Sequence, residues 1–178
     1  MINKIKYINL VAVLVCTFFS ACAQNTNNKQ KSQTTISADT TIDTEDTLVM
    51  SDEDWKRKLS PAAYQVLREK ATEKPYSGEY EEFWDSGIYV CNACGQELFR
   101  SETKFDAHCG WPSFYESMDK SKVKEIVDKS HGMVRTEVVC SRCGGHLGHV
   151  FNDGPAENGG MRYCINSLSL GFQKKGTK

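Results

Sequence analysis

The stretch Gly160-Met161-Arg162-Tyr163-Cys164-Ile165-Asn166-Ser167 alternates as a strand does. Side chains on a strand alternate faces, so Arg162, Cys164 and Asn166 share one face and Tyr163 and Ile165 turn to a core. A cation beside a thiol favours the thiolate, and the thiolate is the nucleophile. The bland alternative is a buried Cys with an exposed Arg and Asn beside it. A second lone thiol, Cys109, sits in Lys104-Phe105-Asp106-Ala107-His108-Cys109-Gly110-Trp111-Pro112-Ser113-Phe114, a loop by its Gly and Pro. Trp111 in its Gly-Trp-Pro turn is either a core plug or the wall of an apolar pocket. His146-Leu147-Gly148-His149 supplies two groups that titrate near neutrality. Their odd spacing puts them on opposite strand faces. Both reach one site only if Gly148 makes a bulge or turn; otherwise one is a core His and the other a surface His. His108 and His131 read as loop or structural histidines.

The chain holds eight Cys, unevenly spread. Cys91-Asn92-Ala93-Cys94 and Cys140-Ser141-Arg142-Cys143 each follow a strand-like run and precede a Gly, with about 45 residues between the pairs. Two such knuckles suit tetrahedral coordination by four thiolates, and structural Zn²⁺ is the default metal. Disulfides, favoured in an oxidising compartment, and a rubredoxin-like iron site are the competing readings. His146 could replace one thiolate, but four thiolates already fill the site.

These groups need elements to hold them. Ser51 is a helix cap candidate with acids after it, and Trp55 and Leu59 share a face. Ser60-Pro61 restarts the helix, Tyr64, Leu67 and Ala71 follow at helical spacing, and Pro75 ends it. The remainder is strand-like: 88–90, 97–99, 133–139, 146–151, 162–166 and 168–172, separated by Gly, Asp, Asn and Ser. Residues 121–129 fit a further short strand around Val123 and Ile126. No long helix lies between these runs, which argues against a parallel βαβ sheet. The expected fold is mainly β: two small antiparallel sheets, as a sandwich or open barrel, with N-terminal helices. A formal net charge of −1 without a basic block implies no nucleic-acid partner.

Residues 1–21 read as a signal peptide, with Lys4 and Lys6 ahead of an apolar run too short to span a bilayer comfortably. Phe19-Ser20-Ala21-Cys22 resembles the lipobox of bacterial lipoproteins, with Phe19 where Leu is usual, and makes Cys22 the expected lipidated N-terminus. An ordinary signal peptidase site is the alternative, and Cys16 falls in the removed segment. Residues 22–50 are polar, without apolar periodicity, and read as a disordered membrane tether. Such a segment extends to at most about 95 Å and averages roughly 30 Å as a coil. Residues 51–178 form the expected folded domain of an exported, membrane-anchored protein of the bacterial envelope.

Taken together, the motifs resemble the B-type methionine sulfoxide reductases, which reduce the R epimer of methionine S-oxide in proteins. The resemblance runs from about Trp55 to Phe172. It includes Lys104-Phe105-Asp106, Cys109 to Phe114, Ser130-His131-Gly132-Met133, His146 to Phe151, Asp153-Gly154-Pro155, Arg162 to Ser167 and both Cys-x-x-Cys pairs. It implies two antiparallel sheets with peripheral helices, Cys164 as nucleophile and Cys109 as resolving thiol. Trp111 would hold the substrate methyl group, and His146, His149, Arg162 and Asn166 would line the polar side. Cys91, Cys94, Cys140 and Cys143 would bind zinc. A thioredoxin-like reductant would recycle the enzyme, working as a monomer in the repair of oxidised proteins. Two positions depart from the family: Ala107-His108 stands where Ser-Gly often precedes the resolving Cys, and Leu168 stands where a smaller residue is usual, which would narrow the site. A non-catalytic zinc-stabilised binding module has no need of the Arg162-Cys164-Asn166 face or of Cys109. A general disulfide oxidoreductase would carry its Cys-x-x-Cys near a βαβ pattern that this chain lacks.

Overall fold

The structure, a computed structural model, describes residues 47–176. The expected signal peptide 1–21, Cys16, Cys22 and residues 22–46 of the expected tether lie outside the described residues. The end of that tether is corrected: Leu48 N–H donates to Arg142 O at 2.7 Å, and Leu48 and Met50 pack on the core. Their apolar side chains make the fold begin ahead of Ser51. Among the described residues no helix is long and apolar enough to cross a membrane.

Helix α1 (Asp52–Lys58) starts where Ser51 Oγ accepts from Asp54 N–H, and buries Trp55. Such a cap is worth about 1 kcal/mol. Helix α2 (Pro61–Glu69) is capped by Ser60 and opened by Pro61, and buries Ala63, Tyr64, Val66 and Leu67. It ends at Glu69 rather than near Pro75. Lys70 turns left-handed, with φ 59°, and sends its ammonium to Glu137. Residues 71–86 run without helix, which lets Glu73 meet the site described below.

Among the described residues nine strands follow: β1 (Gly87–Cys91), β2 (Glu97–Arg100), β3 (Lys104–Phe105), β4 (Ser113–Phe114), β5 (Val123–Asp128), β6 (Arg135–Cys140), β7 (His146–Phe151), β8 (Arg162–Ile165) and β9 (Leu170–Lys174). They form two sheets, ordered β2-β1-β9 and β3-β4-β8-β7-β6-β5. Every pairing is antiparallel. The mainly β, two-sheet architecture with N-terminal helices is the one expected. A shared core joins them: Tyr89, Leu98 and Phe99 come from the smaller sheet, Phe114, Val138, Leu147 and Ile165 from the larger, Trp55 and Leu67 from the helices. Phe99 and Phe114 stack at 4.5 Å.

Three boundaries differ from the sequence reading. The run expected at 168–172 begins as a 3₁₀ turn over Ser167–Ser169, and the strand starts at Leu170. Met133 and Val134 lie exposed ahead of β6. The loop 104–114 is pinned at both ends by the two-residue strands β3 and β4, Lys104 facing Phe114 and Phe105 facing Ser113. The seven residues between those strands carry Cys109.

Candidate active site

Strand β8 alternates as its sequence requires: Tyr163 and Ile165 are buried, while Cys164 is partly open. Its neighbours make a row across the larger sheet, Ser113 opposite Cys164 on β4, His149 opposite Cys164 on β7, and Glu137 opposite His149 on β6. Directly opposed residues are close enough for their side chains to interact. Register alone thus sets four polar groups from four strands in one row, with no loop involved.

Cys109 enters this row from its loop. Its sulfur lies 3.8 Å from Cys164 Sγ, 3.4 Å from Ser113 Oγ and 3.6 Å from Trp111 O. The two thiols are free. His108 and Gly110 on either side have φ of 50° and 89°. The first value explains why Gly suits position 108. His is among the residues that tolerate this region. Here Asp106 supports it, accepting from His108 N–H at 2.8 Å and meeting Nδ1 at 3.0 Å.

The charge on the thiol pair differs from the sequence expectation. Hydrogen bonding from Cys164, then from Ser113 and the Trp111 backbone, outweighs burial and brings Cys109 down to about 5. Cys164 is pushed up, first by donating to Cys109 and then by burial. Arg162 pulls it down without prevailing. The Arg162 guanidinium is held by Asp153 through two hydrogen bonds, of 2.8 and 2.9 Å, and lies 4.5 Å over the Phe151 ring. A cation already matched by a carboxylate has less to offer a thiol two residues on. The pair therefore shares one proton across the sulfur gap and carries one negative charge near neutrality.

A pocket opens over Cys164, walled by Trp111, Phe151, His149, Asn166, Thr72 and Arg135. Trp111 is a pocket wall, and its indole N–H donates to Glu73 O at 3.2 Å. Asn166 is nearly buried: its amide donates to Leu147 O at 3.0 Å, and its Oδ1 accepts from Glu73 N–H at 3.1 Å. Glu73 thereby ties both residues, and its carboxylate accepts the backbone N–H groups of Ser167 and Leu168. Leu168, expected to narrow the site, is not among the pocket walls. Arg162 and His146, expected on the polar side, are not walls of this pocket either.

The histidines meet through a bulge. Val138 faces Gly148 while Val139 faces His146, so Leu147 has no opposite number on β6. The extra residue rotates His146 back toward His149, and their rings lie 5.5 Å apart. A Cβ on Gly148 would fall 2.0 Å from Cys164 O, so only Gly lets β7 approach β8 this closely. His149 Nε2 lies 2.8 Å from Asp128 Oδ2, which also accepts from Arg135 at 2.8 Å. His146 lies behind, its Nδ1 2.7 Å from Glu137 Oε1, while Lys70 reaches Glu137 Oε2 at 2.8 Å. Burial lowers the pKa of His146, and its Nε2 is buried without a hydrogen-bond partner. A neutral, enclosed imidazole is a poor proton source for the pocket, whereas His149 is a wall of it. Asp128, Arg135, Glu137, Lys70 and Glu73 escaped the sequence reading. Their only signal was charge, which also marks ordinary solvated surface.

Cys91, Cys94, Cys140 and Cys143 come together with all four sulfurs within 4.8 Å of one another. Cys91 and Cys143 are 3.7 Å apart, Cys94 and Cys140 3.6 Å. Disulfide sulfurs sit about 2.05 Å apart. Thiolates about 2.3 Å from a tetrahedral zinc would be roughly 3.8 Å apart, which fits these spacings. Gly95 N–H closes onto Cys91 O at 2.7 Å and Gly144 N–H onto Cys140 O at 2.9 Å, giving two matching knuckles. Both glycines have positive φ. The cluster can bind a metal ion.

Comparison with known proteins places these features in context. The family described as the SelR domain matches residues 59–174. A protein of Bradyrhizobium diazoefficiens named peptide methionine sulfoxide reductase MsrB is 57% identical over 132 residues, covering 74% of this chain and 94% of that one. Its namesake in Variovorax paradoxus is 56% identical over 130 residues, covering 70% and 95%. That of Methanosarcina mazei is 58% identical over 125 residues, covering 70% and 89%.

Proposed function

The chain belongs to the SelR-domain family of peptide methionine sulfoxide reductases and is an oxidoreductase, and from that premise we propose that it reduces the R epimer of methionine sulfoxide in oxidised proteins, with Cys164 as nucleophile and Cys109 as resolving thiol. The observation that carries this is the pair of free sulfurs 3.8 Å apart beneath a pocket walled by Trp111 and His149.

A sulfoxide has an electron-poor sulfur and an electron-rich oxygen. The substrate methyl rests against Trp111 while the oxygen turns to His149. As Cys164 sulfur attacks, the shared proton passes from Cys164 to Cys109 and His149 delivers a proton to the oxygen. The net change is transfer of oxygen: the sulfoxide becomes methionine and Cys164 becomes a sulfenic acid. Asp128 holds the His149 ring and Asn166 fixes the pocket floor through Leu147 O. Arg162 keeps a positive potential beside the thiols. Cys109 then condenses with the sulfenic acid to a disulfide, and an external dithiol of thioredoxin type restores both thiols by exchange. One methyl group in an apolar pocket is worth only about 1 kcal/mol, so epimer choice comes from satisfying the methyl and oxygen positions at once.

The four-Cys cluster holds a structural Zn²⁺, supported by the spacing of its sulfurs. The protein is exported, lipidated at Cys22 and held at the envelope membrane by residues 22–46, supported by the lipobox-like Phe19-Ser20-Ala21-Cys22. Its reductant is then extracytoplasmic, and its task is repair under oxidative stress, as a monomer.

The test is mass-spectrometric turnover of separate R and S epimers of an N-blocked methionine sulfoxide, with a dithiol as reductant. Methionine from the R epimer alone is the expected result. Conversion of the S epimer at an equal or greater rate would overturn the assignment.

A further inference from the structure

On both flanks of Cys109 the loop is gripped from outside the sheet by one residue. Tyr76 donates its hydroxyl to His108 O at 3.0 Å and its backbone N–H to Gly110 O at 2.8 Å. These are the carbonyls on either side of Cys109. Tyr76 is 66% exposed, so apolar burial does not account for its place. It sits at φ 61°, a region a bulky residue rarely adopts. Gly110 is fitted to it, since a Cβ there would lie 2.7 Å from Pro75 Cβ and 3.0 Å from Tyr76 N. The turn that presents Tyr76 is closed by Ser77 Oγ donating to Lys74 O at 2.6 Å. It grows out of Glu73, whose N–H is bound to Asn166, two residues past Cys164. The loop thiol and the strand thiol are therefore joined by a second route, Gly110 to Tyr76 to Glu73 to Asn166, independent of the pairing of β4 with β8.

We propose that Tyr76 is the positioning residue of the resolving step, holding Cys109 where it can reach the sulfur of Cys164; the inference rests on the two-cysteine reading above. In that step Cys109 sulfur attacks the sulfenic sulfur of Cys164. The S–S bond forms, the S–O bond breaks, and hydroxide leaves with the Cys109 proton as water. Cys109 sulfur is oxidised and Cys164 sulfur is reduced by the same amount, so no further reagent is needed. The gap must close from 3.8 Å to about 2.05 Å. A loop free to drift would spend little time at that separation. The Tyr76 clasp narrows the drift at both flanks of the thiol.

The experiment is Tyr76→Phe, which keeps the ring and the backbone bond and removes only the hydroxyl bond to His108 O. Rapid quench after one equivalent of sulfoxide reads three quantities: methionine formed, sulfenic acid trapped by a dimedone-type probe, and the Cys109–Cys164 disulfide by non-reducing peptide mapping. Loss of one neutral hydrogen bond predicts disulfide closure slowed about threefold to tenfold. The methionine burst should match wild type, and trapped sulfenic acid should rise. Closure at the wild-type rate would overturn the role of Tyr76, as would equal loss of burst and closure, which would mean general damage. Failure of the underlying reading looks different: wild type itself would then form no Cys109–Cys164 disulfide.

Discussion

Cys109→Ser tests how the thiol pair holds its charge. In the wild type, hydrogen bonding from Cys164 is the leading reason that Cys109 lies at about 5 and that Cys164 is pushed up. The pair's net charge is then constant from pH 6 to pH 8. The substitution removes the first cause of the upward push on Cys164 and leaves burial raising it and Arg162 lowering it. Cys164 should then titrate lower than in the wild type, toward the ordinary thiol range. An unperturbed thiol, near 8.5, is about 0.3% ionised at pH 6 and about 24% at pH 8, which sets the scale of the effect. The first-turnover rate of Cys109→Ser relative to wild type should therefore climb roughly 70-fold between those pH values. Taking the ratio cancels what both proteins share, including the proton donor. Rapid-quench measurement of methionine from one equivalent of sulfoxide reads it directly, and total yield should remain about one methionine per enzyme. A flat ratio would refute the shared-proton account, and absence of methionine at every pH would refute Cys164 as sufficient nucleophile.

Three further outcomes are expected. Purified protein should contain about one zinc by elemental analysis, and Cys94→Ser should lose both the metal and its cooperative thermal unfolding by circular dichroism, because structural zinc binding is coupled to folding; zinc-free protein with two Cys-x-x-Cys disulfides would contradict this. Asp128→Asn should lower the first-turnover rate by about 10²-fold or more with little change in KM, since an amide can leave His149 in the wrong tautomer; an unchanged single-turnover rate would remove Asp128 from the mechanism. Metabolic labelling with a fatty acid should mark the wild type and not Cys22→Ala, and label persisting in the variant would place the lipid elsewhere.

The features legible in the sequence are those set by local rules. Ser51 and Ser60 cap helices because a hydroxyl must meet free N–H groups, and β8 alternates because a strand has period two. The Cys-x-x-Cys-Gly knuckles announce themselves by the positive φ that Gly supplies. The bulge between His146 and His149 was conditional on Gly148 and materialised one residue earlier, at Leu147. What stayed hidden depends on distant partners. Glu73 meets residues more than ninety positions away, Asn166 and Ser167. Asp128 and Glu137 look like any charge on a hairpin until register sets them beside His149 and His146. Strands β3 and β4 hold two residues each, too few to show any period. The sharing of a proton between Cys109 and Cys164 needs a sulfur separation that spacing cannot supply.

Register is what ties these hidden parts to the visible ones. A slip of one residue in β8 would turn Cys164 into the core and bring Tyr163 to the pocket. Against that slip stand the tight fit of Gly148 under Cys164 O and the Leu147 carbonyl, which accepts from both the N–H and the side-chain amide of Asn166. The β7 strand that provides both contacts begins directly after the second metal knuckle, where Cys140 N–H donates to Gly145 O at 2.9 Å. The first knuckle ends β1 in the other sheet, so Cys91 and Cys143 join sheet to sheet at 3.7 Å. A cation bound by these thiolates would therefore fix the start of β7, and with it the bulge that turns His146 and His149 toward each other. Removing it would loosen β7 from its first residue, His146, and through the bulge the His149 wall of the pocket, while the Cys109 loop keeps its separate anchorage on β4 and Tyr76.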